Sequence, residues 1–309
     1  MQSLLLNEKS IIINGTEYTL NVCHSSGKEV PKVIVDTGCI HEETPDEIHM
    51  DFRKPRKPYL PPHFVPRDIK YALEFTRKDS TTTIERVQFL KSIWDAMKYL
   101  AFKIFKGRFV HIKTFELVCL GLIRLPIEFE MFSKNLSLKN LRDVEPILMF
   151  LHPSSFPLTS LFVHFKIYTS LSRLPAETLS IPNYLDDLQL VDLSASHSRI
   201  NILSINSCLV NIPEVIAMIE AWIDNGTATG THIEFACEQS RETEIIHAFY
   251  IIISEISELP GVQMVYRGDL SPDSPNIATI PLRNGSEIQI FWKFEKTHYS
   301  VDGLVVKVV

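Results

Sequence analysis

Residues 200–237, INILSINSCLVNIPEVIAMIEAWIDNGTATGTHIEFAC, contain a strand, a helix and a second strand in succession. Asn211 can cap the helix, Glu214 follows three residues later, and Pro213 lies in the first turn, where its missing N–H is harmless. Apolar residues then recur at helical spacing, at Val215, Ile216, Ile219, Trp222 and Ile223, before Asn225-Gly226 ends the helix. The stretch predicts a helix over 212–224 that packs on the strand at 202–205 and buries Trp222.

Short β-like runs separated by helices fill most of the chain after Gly107. They lie at 110–119, 132–138, 158–165, 200–205 and 233–237. Three segments repeat a Leu-x-aliphatic pattern followed by asparagine, at Leu136–Asn140, Leu179–Asn183 and Leu203–Ser207. In a leucine-rich repeat, alternate residues of such a strand point inward. We therefore expect an α/β fold, an irregular leucine-rich-repeat-like stack of strands and helices that forms a curved parallel sheet and carries an N-terminal β-hairpin.

The spacing of these segments leaves an alternative open. They are separated by 43 and 24 residues, as counted from Leu136, Leu179 and Leu203, and so lack a strict period. A chance similarity among leucine-rich strands of a mixed α/β domain would give the same pattern.

The N-terminal region is predicted to contain the hairpin. Two β-rich runs, 11–13 and 16–22, flank Asn14-Gly15, the favoured dipeptide of a type I′ turn. Apolar residues recur at helical spacing from Leu90 to Phe105, and Gly107 follows, which predicts a buried helix. We assign residues 1–80 to the hairpin and a basic proline-rich loop, and 81–309 to the α/β repeat-like domain.

The proline-rich loop supplies the candidate interaction residues. Residues 45–66 hold six of the eighteen prolines, so neither helix nor sheet is expected there. The candidates are Arg53, Lys54, Arg56, Lys57 and Tyr59. This segment can be read as a nuclear-import patch, a polyproline ligand, a contact for an acidic partner, or a solvated loop.

The usual catalytic motifs are absent. The sequence has no glycine-rich nucleotide loop, no GxSxG elbow, no HExxH and no CxxC. Its densest polar cluster comprises Cys39, His41, Glu42, Glu43, Asp46, Glu47, His49 and Asp51, but the spacing fits no closed zinc or calcium site. We predict no catalytic residue, no metal site and no cofactor. His152, His164 and His247 stand among apolar residues and are expected to be partly buried structural histidines.

Composition limits the classes of partner and the compartment. The chain has 31 basic and 37 acidic residues, a net charge of −6, which argues against binding to nucleic acid or an anionic membrane. No apolar stretch reaches the roughly 18 residues of a membrane span, and the N-terminus lacks the features of a signal peptide. Five widely spaced cysteines are expected to be reduced and buried. We expect a protein of the cytoplasm or nucleus.

Several of these motifs together carry a family resemblance. They are the hairpin at 13–18, the block at 125–141, Phe156–Leu161, and the helix at 219–223 followed by Gly230-Thr231 and the strand to Phe235. They resemble a nematode-expanded family of uncharacterised proteins, which is similar in organisation to F-box-associated repeat domains. The resemblance implies a non-enzymatic protein-interaction module, of the substrate-recognition type, with an unidentified protein partner and without an F-box segment before the hairpin. The alternative is an enzyme whose site is assembled from scattered residues.

Overall fold

A computed structural model describes residues 3–7, 10–14, 16–24, 47–51, 69–76, 82–87, 93–118, 122–139, 144–164, 171–182, 189–204, 211–237, 242–265, 277–293 and 302–309. The chain divides into two compact units, Met1–Ser155 and Phe156–Val309, and each is described by itself. The boundary predicted between residues 80 and 81 lies outside the described residues. Within the described part of the chain, no helix is long and apolar enough to cross a membrane.

The first unit is built on a mixed sheet. Its strands are β1 (Ser3–Asn7), β2 (Ser10–Ile13), β3 (Thr16–His24), β4 (Glu47–Asp51), β5 (Ile69–Thr76), β6 (Thr82–Val87), β7 (Phe109–Val118), β8 (Leu122–Pro126) and β9 (Glu130–Lys139). The main sheet has the order β6-β5-β3-β2-β1-β7-β9, in which β1, β7 and β9 are parallel and the other pairs antiparallel. A separate antiparallel pair joins β4 to β8, so the prediction of a loop over 45–66 was wrong for 47–51, which pairing with β8 makes a strand. The helices are α1 (Ile93–Phe105) and α2 (Glu145–Leu148), and a 3-10 turn follows at Pro153–Ser155.

The predicted N-terminal hairpin is confirmed. Strands β2 and β3 pair antiparallel with Ile13 opposite Thr16, which leaves the two-residue connection expected of a type I′ turn. Asn14 has a φ of 52°, in the left-handed region that such a turn requires. The turn is also tied to β1, because Ser3 N–H donates to Asn14 Oδ1 at 3.1 Å.

The predicted helix before Gly107 is confirmed as α1. Met97, Leu100, Ala101 and Phe105 form its buried face, while Lys103 and Lys106 are exposed. The helix ends at Gly107, whose φ of 65° suits a residue without a Cβ atom. Phe105 lies against Phe129, with ring centroids 4.8 Å apart, and so anchors α1 in the core of the first unit.

The second unit also contains a mixed sheet. Its strands are β10 (Leu158–His164), β11 (Ala176–Ile181), β12 (His197–Ser204), β13 (His232–Cys237), β14 (Gln263–Val265), β15 (Ile277–Pro281), β16 (Glu287–Lys293) and β17 (Asp302–Val308). The order is β14-β15-β16-β17-β13-β12-β11-β10. Its helices are α3 (Leu190–Ser196), α4 (Ile212–Asn225) and α5 (Glu242–Ile256), with a 3-10 turn at Leu171–Arg173.

The expectation of a parallel sheet is correct only for part of each unit. Strands β10 to β13 are parallel, as predicted for chain segments joined by helices, but β14 to β17 are antiparallel. A short turn with Gly285 at a φ of 84° joins β15 to β16, so these strands form a hairpin rather than a crossover. The fold is therefore mixed α/β, and the strands outside the parallel runs account for the difference from the sequence prediction.

The predicted strand–helix–strand stretch is confirmed. Helix α4 begins after Asn211, whose Oδ1 accepts the Glu214 backbone N–H at 3.4 Å, and it ends at Gly226, whose φ is 74°. Val215, Met218, Ile219 and Trp222 are buried, whereas Ile216 and Ile223, which were predicted on the same face, are half-buried. The Glu214 carboxylate has a role that the sequence did not indicate. Its Oε2 accepts the backbone N–H of Leu190 at 3.3 Å and so caps the first turn of α3, which lies beside α4.

Burial along five of the parallel strands, β7, β9, β10, β11 and β12, follows one recurring order: buried, two less buried, buried, one less buried, buried. In the first unit it occurs at Ile112/Phe115/Leu117 and Ser133/Leu136/Leu138; in the second at Leu158/Leu161/Val163, Ala176/Leu179/Ile181 and His197/Ile200/Ile202. The middle buried residue falls at 115, 136, 161, 179 and 200, so successive occurrences are 21, 25, 18 and 21 residues apart.

This order corrects the third predicted Leu-x-Leu segment. Leu203 was expected inside the sheet, but it is half-buried, whereas Ile200 and Ile202 are buried. Side chains alternate along a strand, so the segment had been placed one residue out of phase. The long gap between Leu136 and Leu179 also contains an occurrence at Leu161 that lacks the asparagine of the pattern.

Candidate interaction surface

The first candidate surface is a cluster of rings on β7 and β9 of the first unit. We call Phe109, His111, Phe132 and His152 the ring cluster. Phe109 and His111 lie two residues apart on β7 and therefore share one side of the strand, and His111 is paired with Phe132 of β9. His152 stands just before the 3-10 turn and brings a fourth ring to the same place.

The four rings contact one another in sequence. Phe109 meets His111 edge to face at a centroid distance of 4.8 Å and meets His152 at 5.3 Å. His111 meets Phe132 at 5.3 Å, and the Lys134 ammonium lies 5.8 Å from the Phe132 ring centre. The arrangement is a continuous strip of rings that ends in a cation.

The ring cluster is open to solvent although it consists largely of aromatic carbon. Phe109 is 46% exposed, His111 is exposed, and Phe132 and His152 are half-buried. Parallel strands β7 and β9 hold the rings in fixed register, so the exposed surface belongs to the rigid part of the unit. Ile112, next to His111, and Met131 and Ser133, on either side of Phe132, are buried, which places the cluster on the side of β7 and β9 that faces away from the core.

The second candidate surface lies on the second unit, on the side of the sheet whose side chains alternate along the strands with those that face the core. We call it the outer face. Strand register arranges its side chains in two rows that run across all eight strands. The polar row contains Ser160, Thr178, Arg199, His232, Lys307, Gln289, Thr279 and Gln263; the apolar row contains Phe162, Ser180, Asn201, Glu234, Val305, Phe291, Ile277 and Val265. In the apolar row Val305 is buried, and Ser180, Asn201 and Glu234 are polar.

The polar row contains two cations, one histidine and no acid. Arg199, His232 and Lys307 occupy adjacent strands, which are spaced about 4.8 Å apart in a sheet. His232 Nε2 lies 3.4 Å from Glu234 Oε2, and the Lys307 ammonium lies 5.1 Å from the Phe291 ring centre. Neither Arg199 nor Lys307 forms an ion pair with a described residue. Two positive charges therefore remain without a counter-charge on this row.

His197 is the described titratable side chain with the clearest change in proton affinity. Its ring is 2% exposed, and Nδ1 accepts the Ala176 backbone N–H at 3.1 Å, so a neutral ring carries its proton on Nε2. Burial lowers the pKa of His197 from 6.5 to about 4, more than the backbone groups of Ala176 and Leu171 raise it. Nε2 has no hydrogen-bond partner among the described residues. The contact with Ala176 joins β12 to β11 and is structural.

The interaction residues predicted from the sequence cannot be compared with these surfaces. Arg53, Lys54, Arg56, Lys57 and Tyr59 lie outside the described residues. The polar cluster at 39–51 also lies there, apart from β4, whose side chains are not described. The same holds for the cysteines, either wholly or in their side chains. In the described ranges, no group of three His, Cys, Asp or Glu side chains is arranged to hold a metal ion.

The three histidines expected to be partly buried divide into two groups. His152 and His164 are half-buried, as predicted. His247 is exposed, and the prediction for it was wrong, because it lies on α5 on a side away from Ala248, Phe249 and Ile252, which are buried. Apolar neighbours in sequence do not imply burial on a helix, where successive residues point in different directions.

Comparison with known proteins gave a match to one family model over part of the chain. The model described as "Domain of unknown function (DUF3557)" matches residues 92–239, a segment that begins at α1 and ends just after β13. It includes the whole ring cluster and the strands that carry Arg199 and His232. Neither the search of curated proteins nor the search of solved structures gave a match.

Proposed function

We propose that this protein is a non-enzymatic protein-recognition module, of the substrate-recognition kind that the resemblance to F-box-associated domains implies. The observation that carries the proposal is the ring cluster: three rings on the paired strands β7 and β9 and the ring of His152 beside them form a chain of contacts, and Phe109 is about half exposed. Aromatic side chains are enriched among the residues that dominate the binding energy of protein interfaces.

Leaving these rings in water costs free energy, which is recovered when a partner covers them. Each aromatic side chain that a partner covers contributes about 25 cal/mol for every Å² of apolar surface removed from water. Phe109 and Phe132 are already held in place by their ring neighbours and by strand pairing, so binding loses little side-chain entropy. The two histidines and Lys134 add polar edges that can donate hydrogen bonds to a partner.

The recurring burial order supports a finer statement about architecture, which we also propose. Five parallel strands carry the same buried positions at intervals of 18 to 25 residues, in the range of leucine-rich repeats. In such a stack, the residues between buried positions face outward and form an extended binding surface. Lys134, which lies beside the Phe132 ring, and Arg199 of the polar row both occupy positions of this kind.

The enzyme alternative has one described contact in its favour. His152 Nδ1 lies 2.6 Å from Ser154 Oγ, a distance at which an imidazole could accept the proton of a nucleophilic serine. The Ser154 backbone N–H also points to Nδ1, at 3.2 Å, which is the geometry of a side chain capping the 3-10 turn. We therefore expect no labelling of Ser154 by a fluorophosphonate probe, and labelling that Ser154→Ala abolishes would favour the enzyme.

A site-specific crosslinking experiment tests the recognition function. The photoreactive amino acid p-benzoylphenylalanine replaces Phe109 in one variant and Tyr99 of α1 in a control. The two positions are matched, since both are aromatic and their exposed fractions are 46% and 52%. After illumination in native cell extract, the variant at 109 is expected to give a discrete crosslinked protein that the variant at 99 does not. Equal, diffuse crosslinking at both positions would contradict the proposal.

A further inference from the structure

The outer face of the second unit combines two kinds of surface in neighbouring rows. The polar row carries Arg199, His232 and Lys307 and contains no acid, whereas the apolar row ends in Phe291, Ile277 and Val265 on β16, β15 and β14. The two rows lie two residues apart on every strand and so run side by side. The basic side chains lie on β12, β13 and β17 and the accessible apolar side chains on β16, β15 and β14, so a ligand lying along the rows would meet positive charge at one end and apolar surface at the other.

We propose that the outer face binds an acidic amphipathic segment of a partner protein. The argument is charge complementarity: Arg199 and Lys307 have no ion-pair partner among the described residues, in a chain whose net charge is −6. The acid in the apolar row, Glu234, lies with its Oε2 3.4 Å from His232 Nε2. Two carboxylates of a partner can therefore pair with Arg199 and Lys307.

The apolar row distinguishes a protein segment from a nucleic acid. Phe162, Phe291 and Ile277 are half-buried and Val265 is exposed, so part of their apolar surface remains in water. Aliphatic or aromatic side chains of a peptide can cover this surface, whereas a phosphate backbone cannot. An amphipathic helix of about 18 residues would be roughly 27 Å long, enough to cross the strands from β12, which carries Arg199, to β14, which carries Val265, at about 4.8 Å per strand.

The inference rests on the proposed recognition function, and a binding measurement tests it separately. The probe is a fluorescein-labelled synthetic peptide of that length, with glutamates in one half of the helix and leucines along one face of the other half. Its counterpart has lysines in place of the glutamates, and a labelled oligouridylate represents single-stranded nucleic acid. We expect the acidic peptide to bind, measured by fluorescence anisotropy, and to bind more weakly as salt is raised.

Charge reversal on the polar row is the decisive variant. Arg199→Glu with Lys307→Glu is expected to weaken binding of the acidic peptide at least tenfold. A control, Lys103→Glu with Arg283→Glu, makes the same change in net charge at exposed positions outside the two rows and is expected to leave binding unchanged. The milder pair Arg199→Ser with Lys307→Gln should give an intermediate loss, and circular dichroism checks that each variant is folded.

Three outcomes would overturn the inference. They are equal binding of the acidic and basic peptides, equal losses in the two charge-reversal variants, or tighter binding of the oligouridylate than of the acidic peptide. In each case the recognition function could still stand, because crosslinking at Phe109 concerns the first unit. Conversely, specific binding of the acidic peptide together with diffuse crosslinking at 109 would place recognition on the outer face and contradict the role of the ring cluster.

Discussion

Replacing Trp222 by alanine perturbs the packing between two helices of the second unit. The indole is 4% exposed, and its Nε1–H donates to Ser194 Oγ at 3.1 Å, which joins α4 to α3. Ser194 Oγ in turn donates to the Val191 carbonyl at 2.9 Å. The substitution therefore removes a large buried side chain and one hydrogen bond at once.

The expected cost follows from these contacts. Truncating a buried tryptophan to alanine costs about 3–5 kcal/mol. The hydrogen bond contributes about 1 kcal/mol of that total, and the loss is not larger because Ser194 keeps its own acceptor, Val191. Trp222→Phe retains most of the ring and loses the N–H, so it should cost less. Ser194→Ala leaves the buried indole N–H without its acceptor and should cost about 1–3 kcal/mol.

Urea unfolding followed by far-ultraviolet circular dichroism measures these differences. The free energy of unfolding should fall in the order wild type, Trp222→Phe, Trp222→Ala, with Ser194→Ala also below wild type. Glu220→Ala, an exposed position on the same helix, serves as the control and should stay within about 0.5 kcal/mol of wild type. An unchanged midpoint for Trp222→Ala would refute the packing described for α3 and α4.

Three further perturbations test other contacts. His197 has a pKa of about 4 in the folded protein against 6.5 in the unfolded chain, so the unfolded state binds more protons between these pH values. The free energy of unfolding should therefore fall by up to about 3 kcal/mol as the pH drops from 6.5 to 4. His197→Gln should remove that part of the pH dependence, measured by urea titrations at several pH values. Glu214→Ala removes the acceptor of the Leu190 N–H and should lower the free energy of unfolding by about 1–2 kcal/mol, whereas Glu220→Ala should lower it by no more than about 0.5 kcal/mol. Equal losses in the two variants would mean that the cap on α3 contributes nothing to stability. Gly226 has φ 74° and ψ 150°, a conformation that is nearly confined to glycine. Gly226→Ala should therefore lower the thermal midpoint of unfolding and reduce stability by about 1–3 kcal/mol, although no atom lies close to the added Cβ.

The elements predicted most closely were those whose signals are local. Asn14-Gly15 determines a two-residue hairpin by its own backbone preferences, and Asn211, Pro213 and Gly226 mark the two ends of α4 within the helix itself. The spacing also predicted the buried positions Val215, Ile219 and Trp222 of α4, but not Met218. In all these cases the residues that decide the structure are within one or two turns of one another in sequence.

The remaining features depend on pairing between distant segments. The phase of β12 was misjudged because Leu203 and Ile200 are equally apolar, and only strand pairing decides which of them faces the core. The ring cluster joins Phe109, Phe132 and His152, and the polar row joins Arg199 to Lys307 across β13. Phe109 and His111 alternate with Val110 and Ile112 in the sequence, which indicates that they share one side of a strand. No local pattern, however, indicates which side chains of other strands the register brings next to them.

Solvent accessibility in the presence of the natural partner tests the recognition function most directly. Hydroxyl-radical footprinting compares the purified protein with the protein incubated in native extract and recovered under mild conditions. We expect oxidation of Phe109 and Phe132 to decrease in the extract, while Tyr99 and Tyr250, which are 52% and 40% exposed on α1 and α5, react as before. Unchanged oxidation of Phe109 and Phe132, or protection confined to the two tyrosines, would contradict the assignment of the ring cluster as a binding surface.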